Sequence, residues 1–141
     1  MRAWLFNSGS HTKAASFGLL VLRVAAGGAM AAAHGWGKLL SFGEKAATFP
    51  DPLGIGRPFS MAGAIGAEFF CAILVALGLG TRVAAIPLVF TMGVATFLVH
   101  ANDPFGQKEK AVLFLVIFLA LAFTGAGAYS LDAKLGGKKR R

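Results

Sequence analysis

The chain has 141 residues, of which 56% are apolar and only 14% charged, with a formal net charge of +8 and a mean hydropathy of +0.67. Soluble domains run at about 45–50% apolar and about 25% charged, so these values exclude an ordinary soluble domain and a disordered chain. They leave a small polytopic membrane protein built on spans of about 20 residues. Lys and Arg lie between and beyond the apolar runs, where they set topology and meet anionic headgroups; membrane lipids are expected partners and nucleic acid is not.

The first apolar run, residues 14–34, is interrupted only by Arg23 and ends at His34-Gly35-Trp36. It is too long for a signal peptide and lacks a small-residue cleavage site, so it is expected to stay as a span. A loop with Phe42, Phe49, Pro50, Pro52, Gly54, Gly56 and Pro58 follows. Proline at that density forbids a continuous helix, and the phenylalanines suit either the membrane surface or a plug at the bundle mouth. The second run, residues 59–80, contains Glu68, and the tight turn Gly80-Thr81-Arg82 leads to a third, residues 83–100, with Pro87 in its first turn or at a kink and His100 at its end. The fourth, residues 110–129, is apolar apart from Thr124, its glycines and its first residues, and a basic tail covers residues 133–141.

None of these runs alternates as barrel strands do, so the expected fold is all-α, one domain forming a bundle of four transmembrane helices. Gly27, Gly28, Gly63, Gly66, Gly78, Gly125 and Gly127 permit close helix approach. Four spans put both termini and the Thr81-Arg82 turn on one side. Lys and Arg are denser there (Arg2, Lys13, Arg82, Lys134, Lys138, Lys139, Arg140, Arg141) than in the opposite loops (Lys38, Lys45, Arg57, Lys108, Lys110), which predicts cytoplasmic termini. Trp4, Trp36 and Tyr129 fall where interfacial aromatic anchors belong.

An ionisable group deep in a span costs about 3 kcal/mol and therefore faces the bundle interior and a partner. Counted from the ends of their runs, Arg23 and Glu68 each lie about 13–14 Å from opposite faces, so an Arg23–Glu68 ion pair is expected. Two readings of it stand. The pair is a structural clamp between the first two spans, or the arginine offers donors to an anionic or carbonyl-bearing ligand while Glu68 relays a proton. A second polar group, His34, Lys38, His100, Lys108 and Glu109, gathers at the far end of the bundle. Imidazole and carboxylate are proton-transfer groups, whereas the spacing lacks HxxxH and ExxH and no metal is expected. Lys108 and Glu109 also suit a helix start and the headgroups. The single cysteine, Cys71, excludes a dithiol mechanism within the chain and reads as a packing residue.

Leu22-Arg23, His34-Gly35-Trp36-Gly37-Lys38, Ala67-Glu68, Leu77-Gly78-Leu79-Gly80-Thr81-Arg82, His100, Lys108-Glu109 and the run from Thr124 to Asp132 follow one another in an order that resembles the DoxX family of small bacterial membrane proteins. The resemblance covers nearly the whole chain, from Gly18 to Asp132. It implies a four-helix bundle of the bacterial inner membrane, with Arg23, His34, Lys38, Glu68 and Glu109 as the polar signature. It also implies a role beside quinone-linked oxidases, quinone or catechol detoxification, or complexes that handle oxidative and thiol stress. The expected function is thus a quinone-linked or redox-stress-associated oxidoreductase component. Arg23, Lys38 and His100 would bind the ligand and His34, Glu68 and Glu109 would carry protons. The chain holds no cysteine pair, GxGxxG fingerprint or haem ligand pair, so electrons would come from a membrane or soluble redox partner. A non-enzymatic scaffold that recruits partner proteins and a small-solute transporter, for which homo-oligomerisation would be needed, are the alternatives.

Overall fold

A computed structural model of the protein describes residues 8–136. Trp4 and the basic residues Arg2, Lys138, Lys139, Arg140 and Arg141 lie outside the described residues. The described residues are 78% helix, with no strand among them.

Helix α1 (Lys13–Leu40) opens where the Thr12 hydroxyl accepts from the Ala15 amide at 3.1 Å, an N-cap bond. It does not stop at His34-Gly35-Trp36. A π-helical segment, Ala31–Gly35, carries it through that motif to Leu40. The short α2 (Phe42–Lys45) and a 3₁₀ turn, Ala46–Thr48, lead into an irregular loop at residues 49–56. Pro58 sits in the first turn of α3 (Arg57–Leu77), where its missing amide costs no hydrogen bond. The helix closes at Gly78, whose φ of +72° brings the Leu79 amide to the Leu74 carbonyl at 2.9 Å and its own amide to Val75. Gly80 is also left-handed, so the turn is formed by Gly78-Leu79-Gly80, slightly upstream of the expected one. Pro87 lies within the next helix, α4 (Thr81–Val99), beyond its first turn. Next, α5 (Phe105–Thr124) ends where Gly125 and Gly127 turn the chain at φ +81° and +78°, and a final α6 (Leu131–Gly136) follows.

The principal pairings are α1 with α3 and α4 with α5, with α3 joining the two pairs through α4. Small and medium side chains fill the centre: Ala26, Met30, Ala72, Val75, Ala85, Leu88, Phe118 and Leu121 are all buried. Phenylalanines and aliphatics point outward, with Phe17, Phe70, Phe90, Phe97, Val116 and Phe123 more than half exposed, while Arg23, Glu68 and Asp132 are buried. That inversion is the distribution a bundle takes in lipid. Three helices, α1, α3 and α4, are long and apolar enough to cross a membrane. Helix α5 has 20 residues but carries Lys108, Glu109 and Lys110 near its start, so its apolar run, from Ala111 onward, is shorter.

The α1–α3 register rests on two glycines. A Cβ on Gly27 would stand 2.6 Å from the Ala72 carbonyl oxygen, and one on Gly35 2.6 Å from that of Glu68, whereas one on Gly28 would meet nothing within 4 Å. Gly35→Ala must therefore push the helices apart, and overpacking of this kind costs about 1–3 kcal/mol. Thermal unfolding in detergent should show a clear fall in Tm for Gly35→Ala and none for Gly28→Ala, which gains helix propensity.

Candidate functional site

The described polar side chains gather at two ends of the bundle. At the end near the described termini, Arg23 is 2% exposed. Its Nε donates to the Ala126 carbonyl at 3.3 Å, and its two terminal nitrogens donate to the carbonyls of Ala76 and Tyr129. Gly78 makes room, since a Cβ there would lie 2.9 Å from the guanidinium carbon. Close by, the buried Asp132 carboxylate accepts from the amides of Gly80 at 2.7 Å and Thr81 at 3.1 Å. It thereby caps the start of α4 from a distant part of the chain. Ser16 accepts from the Ala128 amide at 3.2 Å, and the Ser130 hydroxyl donates to Gly127 at 2.6 Å while accepting from Ala133. Every nitrogen of Arg23 is engaged by the chain itself, so this cluster is a clasp between α1, α3 and the α5–α6 turn.

Glu68 takes a different partner from the one expected. It pairs with Lys38, not Arg23. With Gly35 against Glu68 and Gly27 against Ala72 and Ala76, the antiparallel register puts Arg23 beside the end of α3. Arg23 then lies about 18 Å along the α1 axis from the level of Glu68, beyond the reach of a salt bridge. Because α1 continues past His34, Lys38 is still helical and reaches Glu68 across the interface.

The Lys38–Glu68 pair lines a cavity of about 380 Å³ between α3, α4 and the 49–56 loop. Most of its wall is apolar: Phe59, Gly63, Ala64 and Ala67 from α3, Pro87, Phe90 and Val94 from α4, and Phe49, Leu53 and Ile55 from the loop. Ser60, Thr91 and His100 add polar atoms. His100 is held at 2.7 Å by Asp103. His34 stands outside the lining, edge-on to Phe114 at 5.8 Å between ring centres, yet within electrostatic reach of Glu68, Lys38 and Lys110. Lys108 donates to the Ala101 carbonyl at 3.3 Å, and Glu109 is exposed on α5. Of the expected site residues, the structure thus brings Lys38, Glu68 and His100 to one cavity, sets His34 behind it, and leaves Arg23, Lys108 and Glu109 elsewhere. Among the described residues no cluster of three or more His, Cys, Asp or Glu has the geometry for a metal ion.

Sequence reasoning assigned no role to Asp51, Asp103 or Asp132. Asp51 anchors the loop: its carboxylate accepts from the Ile55 amide at 3.1 Å, the Gly56 amide at 2.8 Å and the Ser60 hydroxyl at 2.7 Å. An aspartate a few residues ahead of glycines is the signal that could have found it. Asp132 follows Ser130 at a helix start, which is the corresponding signal there.

The DoxX family model matches residues 18–101. An uncharacterized membrane protein of Mycobacterium tuberculosis is 37% identical over 120 residues, covering 68% of this chain and 73% of that protein. An uncharacterized protein of Haemophilus influenzae is 36% identical over 96 residues, covering 55% of this chain and 72% of its own. No solved structure matches.

Two outcomes follow from these contacts. Arg23→Met would leave three carbonyls without their donor, and hydrogen bonds to a charged group contribute about 1.5–3 kcal/mol each; denaturant unfolding in detergent should show a loss of about 3 kcal/mol or more. The second concerns Asp51, whose acidity is raised, first by the Ser60 hydroxyl and then by the Gly56, Ile55 and Gly54 amides, so that its pKa lies below the usual carboxylate value. A lowered folded-state pKa means that the latch is fully present above the ordinary Asp value of about 4 and is lost as pH falls through the lowered value. Hydrogen-exchange protection of the Ile55 and Gly56 amides should therefore hold at neutral pH and collapse only in strong acid, whereas Asp51→Asn should show weak protection throughout.

Proposed function

The chain belongs to the DoxX family of membrane proteins, and from that premise we propose that it binds a lipophilic quinone or quinol in the α3–α4 cavity and hands electrons and protons to or from it together with a redox partner. The observation that carries this reading is the Lys38–Glu68 pair on the wall of an otherwise mostly apolar cavity of about 380 Å³. Cavities of about 300–1,000 Å³ with apolar walls and a few convergent polar groups are what small lipophilic ligands occupy.

Two electrons and two protons separate a quinone from its quinol. Lys38, with three donors, hydrogen-bonds a quinone oxygen and stabilises negative charge as electrons arrive. Glu68, paired with Lys38 and buried, is the proton donor and acceptor at that oxygen. His100, on the cavity wall and bonded to Asp103 nearer the loops, exchanges protons with water. The electrons come from a redox centre on a partner protein, because the chain has one cysteine and no cofactor fingerprint of its own.

In this reading the protein is a multi-pass protein of the bacterial inner membrane with four spans. Helix α5 is the fourth, packed along α4, with Lys108 and Lys110 at headgroup level, where long basic side chains snorkel. Both termini face the cytoplasm and the cavity lies in the outer half of the bilayer.

Gly63 provides the test. It lines the cavity, and a Cβ on it would meet nothing within 4 Å, so Gly63→Leu fills the cavity without disturbing the helices. In nanodiscs, the wild-type protein should bind a short-chain benzoquinone, detected by native mass spectrometry. Gly63→Leu should weaken binding at least about tenfold at unchanged Tm, and Lys38→Met should weaken it as well. Equal binding by wild type and Gly63→Leu would place the quinone elsewhere and defeat the proposal.

A further inference from the structure

The cavity's openings say how a ligand reaches it. The end toward the 41–56 segment is roofed by Phe49, Pro50, Pro52, Leu53 and Ile55. That roof is tied down by the three Asp51 bonds to Ile55, Gly56 and Ser60 and by Arg57, whose guanidinium donates to the Ala47 carbonyl at 3.1 Å. Beneath it Ala46, Met61 and Ile65 form a small core of their own, against which Phe49 packs. The roof is therefore a packed element on the water-facing side.

The flank is open. Gly63 and Phe59 on α3, and Pro87 and Phe90 on α4, line the cavity and are also exposed. Phe59 is 72% and Phe90 59% exposed. All four lie within the two helices whose length and apolarity suit a membrane crossing, so in a bilayer this flank would face lipid. Two features keep the flank open. Gly63 has no side chain to close it, and Pro87, lacking an amide hydrogen, cannot bond back to the preceding turn of α4. Glu68, by contrast, is 5% exposed, so the polar group lies inward of that opening.

We infer that the ligand passes sideways from the bilayer between α3 and α4, and that the site selects an amphiphile with a single flexible apolar tail. Its oxygen-bearing head rests at Lys38–Glu68, and its tail runs out between Phe59 and Phe90 into lipid. The tail-contacting residues Phe59 and Phe90 set specificity, and a head group without a tail binds through the polar pair alone. The inference rests on the quinone reading for the identity of the head and adds the route and the tail.

The experiment compares two probes with one head, 2,3-dimethoxy-5-methyl-1,4-benzoquinone and its decyl-substituted form. Binding to wild type, Phe59→Ala and Phe90→Ala is measured in nanodiscs, with concentrations corrected for partition into lipid. Both phenylalanines are exposed, so their truncation leaves the bundle folded, which a Tm measurement checks. In the wild type the decyl probe should bind about tenfold more tightly than the tail-less one after correction. That advantage should shrink several-fold in each variant, because the decyl probe loses more affinity than the tail-less one. A tail advantage identical in wild type and variants, or none at all, overturns the lateral route while leaving the quinone site standing. Failure of both probes to bind the wild type removes the quinone reading and this inference with it.

Discussion

The structure depends on how a permanent cation is satisfied inside an apolar bundle. Arg23 cannot lose its proton, and water is absent from the hydrocarbon region, so its donors must end on groups of the chain. They end on Ala76, in the last turn of α3, and on Ala126 and Tyr129, just past the end of α5. Carbonyls at and beyond a helix C-terminus are the ones that lack intrahelical partners, and they lie at the negative end of the helix dipole. One guanidinium therefore satisfies the end of α3 and the chain leaving α5 together. This requires α5 to stop at Thr124 and the chain to turn back through Gly125 and Gly127. The same return carries Asp132 to the Gly80 and Thr81 amides, the positive end of α4. Cation on carbonyls and carboxylate on amides are complementary halves of a single closure.

That closure decides which polar groups remain available. Each side-chain nitrogen of Arg23 is bonded to a carbonyl of the chain and the residue is almost wholly buried, away from the cavity lining. The Lys38 side chain is 25% exposed and lies on a cavity wall beside a carboxylate. An ammonium has three donors and a carboxylate about four acceptor sites, so one mutual contact leaves both with capacity facing the cavity. The two buried charged groups thus sit differently: Arg23 joins helix ends together, and the Lys38–Glu68 pair lies on a cavity wall.

The existence of the apolar helices and the burial of Arg23 and Glu68 were legible in the sequence, because run length and the cost of an intramembrane charge are local properties. Their pairing was not. Counting residues from the ends of the apolar runs put Arg23 and Glu68 at one depth, but the register is set by Gly27 and Gly35 pressed on the α3 backbone, and no local count contains that. The continuation of α1 through His34-Gly35-Trp36 to Leu40 was hidden for a similar reason. Two glycines in a short polar stretch read as a helix end, whereas here Gly35 is one of two points of close helix contact and Gly37 stays helical. The expected irregular loop was legible from its prolines, but its role as a cavity roof depends on Asp51 meeting Ser60 nine residues later, a contact that needs the start of α3 in place.

The irregular geometry is distributed unevenly. Around Arg23 the helices are regular: Lys13–Met30, Ala72–Leu77, Thr81–Val94 and Phe105–Thr124 are all α-helical. From mid-bundle toward the other end each membrane-length helix passes into a π segment, at Ala31–Gly35, Gly66–Cys71 and Ala95–Val99. A π turn admits an extra residue at the expense of packing and hydrogen-bond geometry, and such turns recur at functional sites. Here the first two face each other across the α1–α3 contact and carry His34 and Glu68, while the third includes Ala95 and Val99 of the cavity wall. The three widened turns therefore lie between mid-bundle and the cavity end, beside an incompletely used ion pair, while the Arg57–Ile65 and Thr81–Val94 stretches that form most of the cavity wall stay regular α-helix. A bundle divided in this way can vary its cavity, through positions such as Gly63 and Phe90, without touching the contacts that keep it folded.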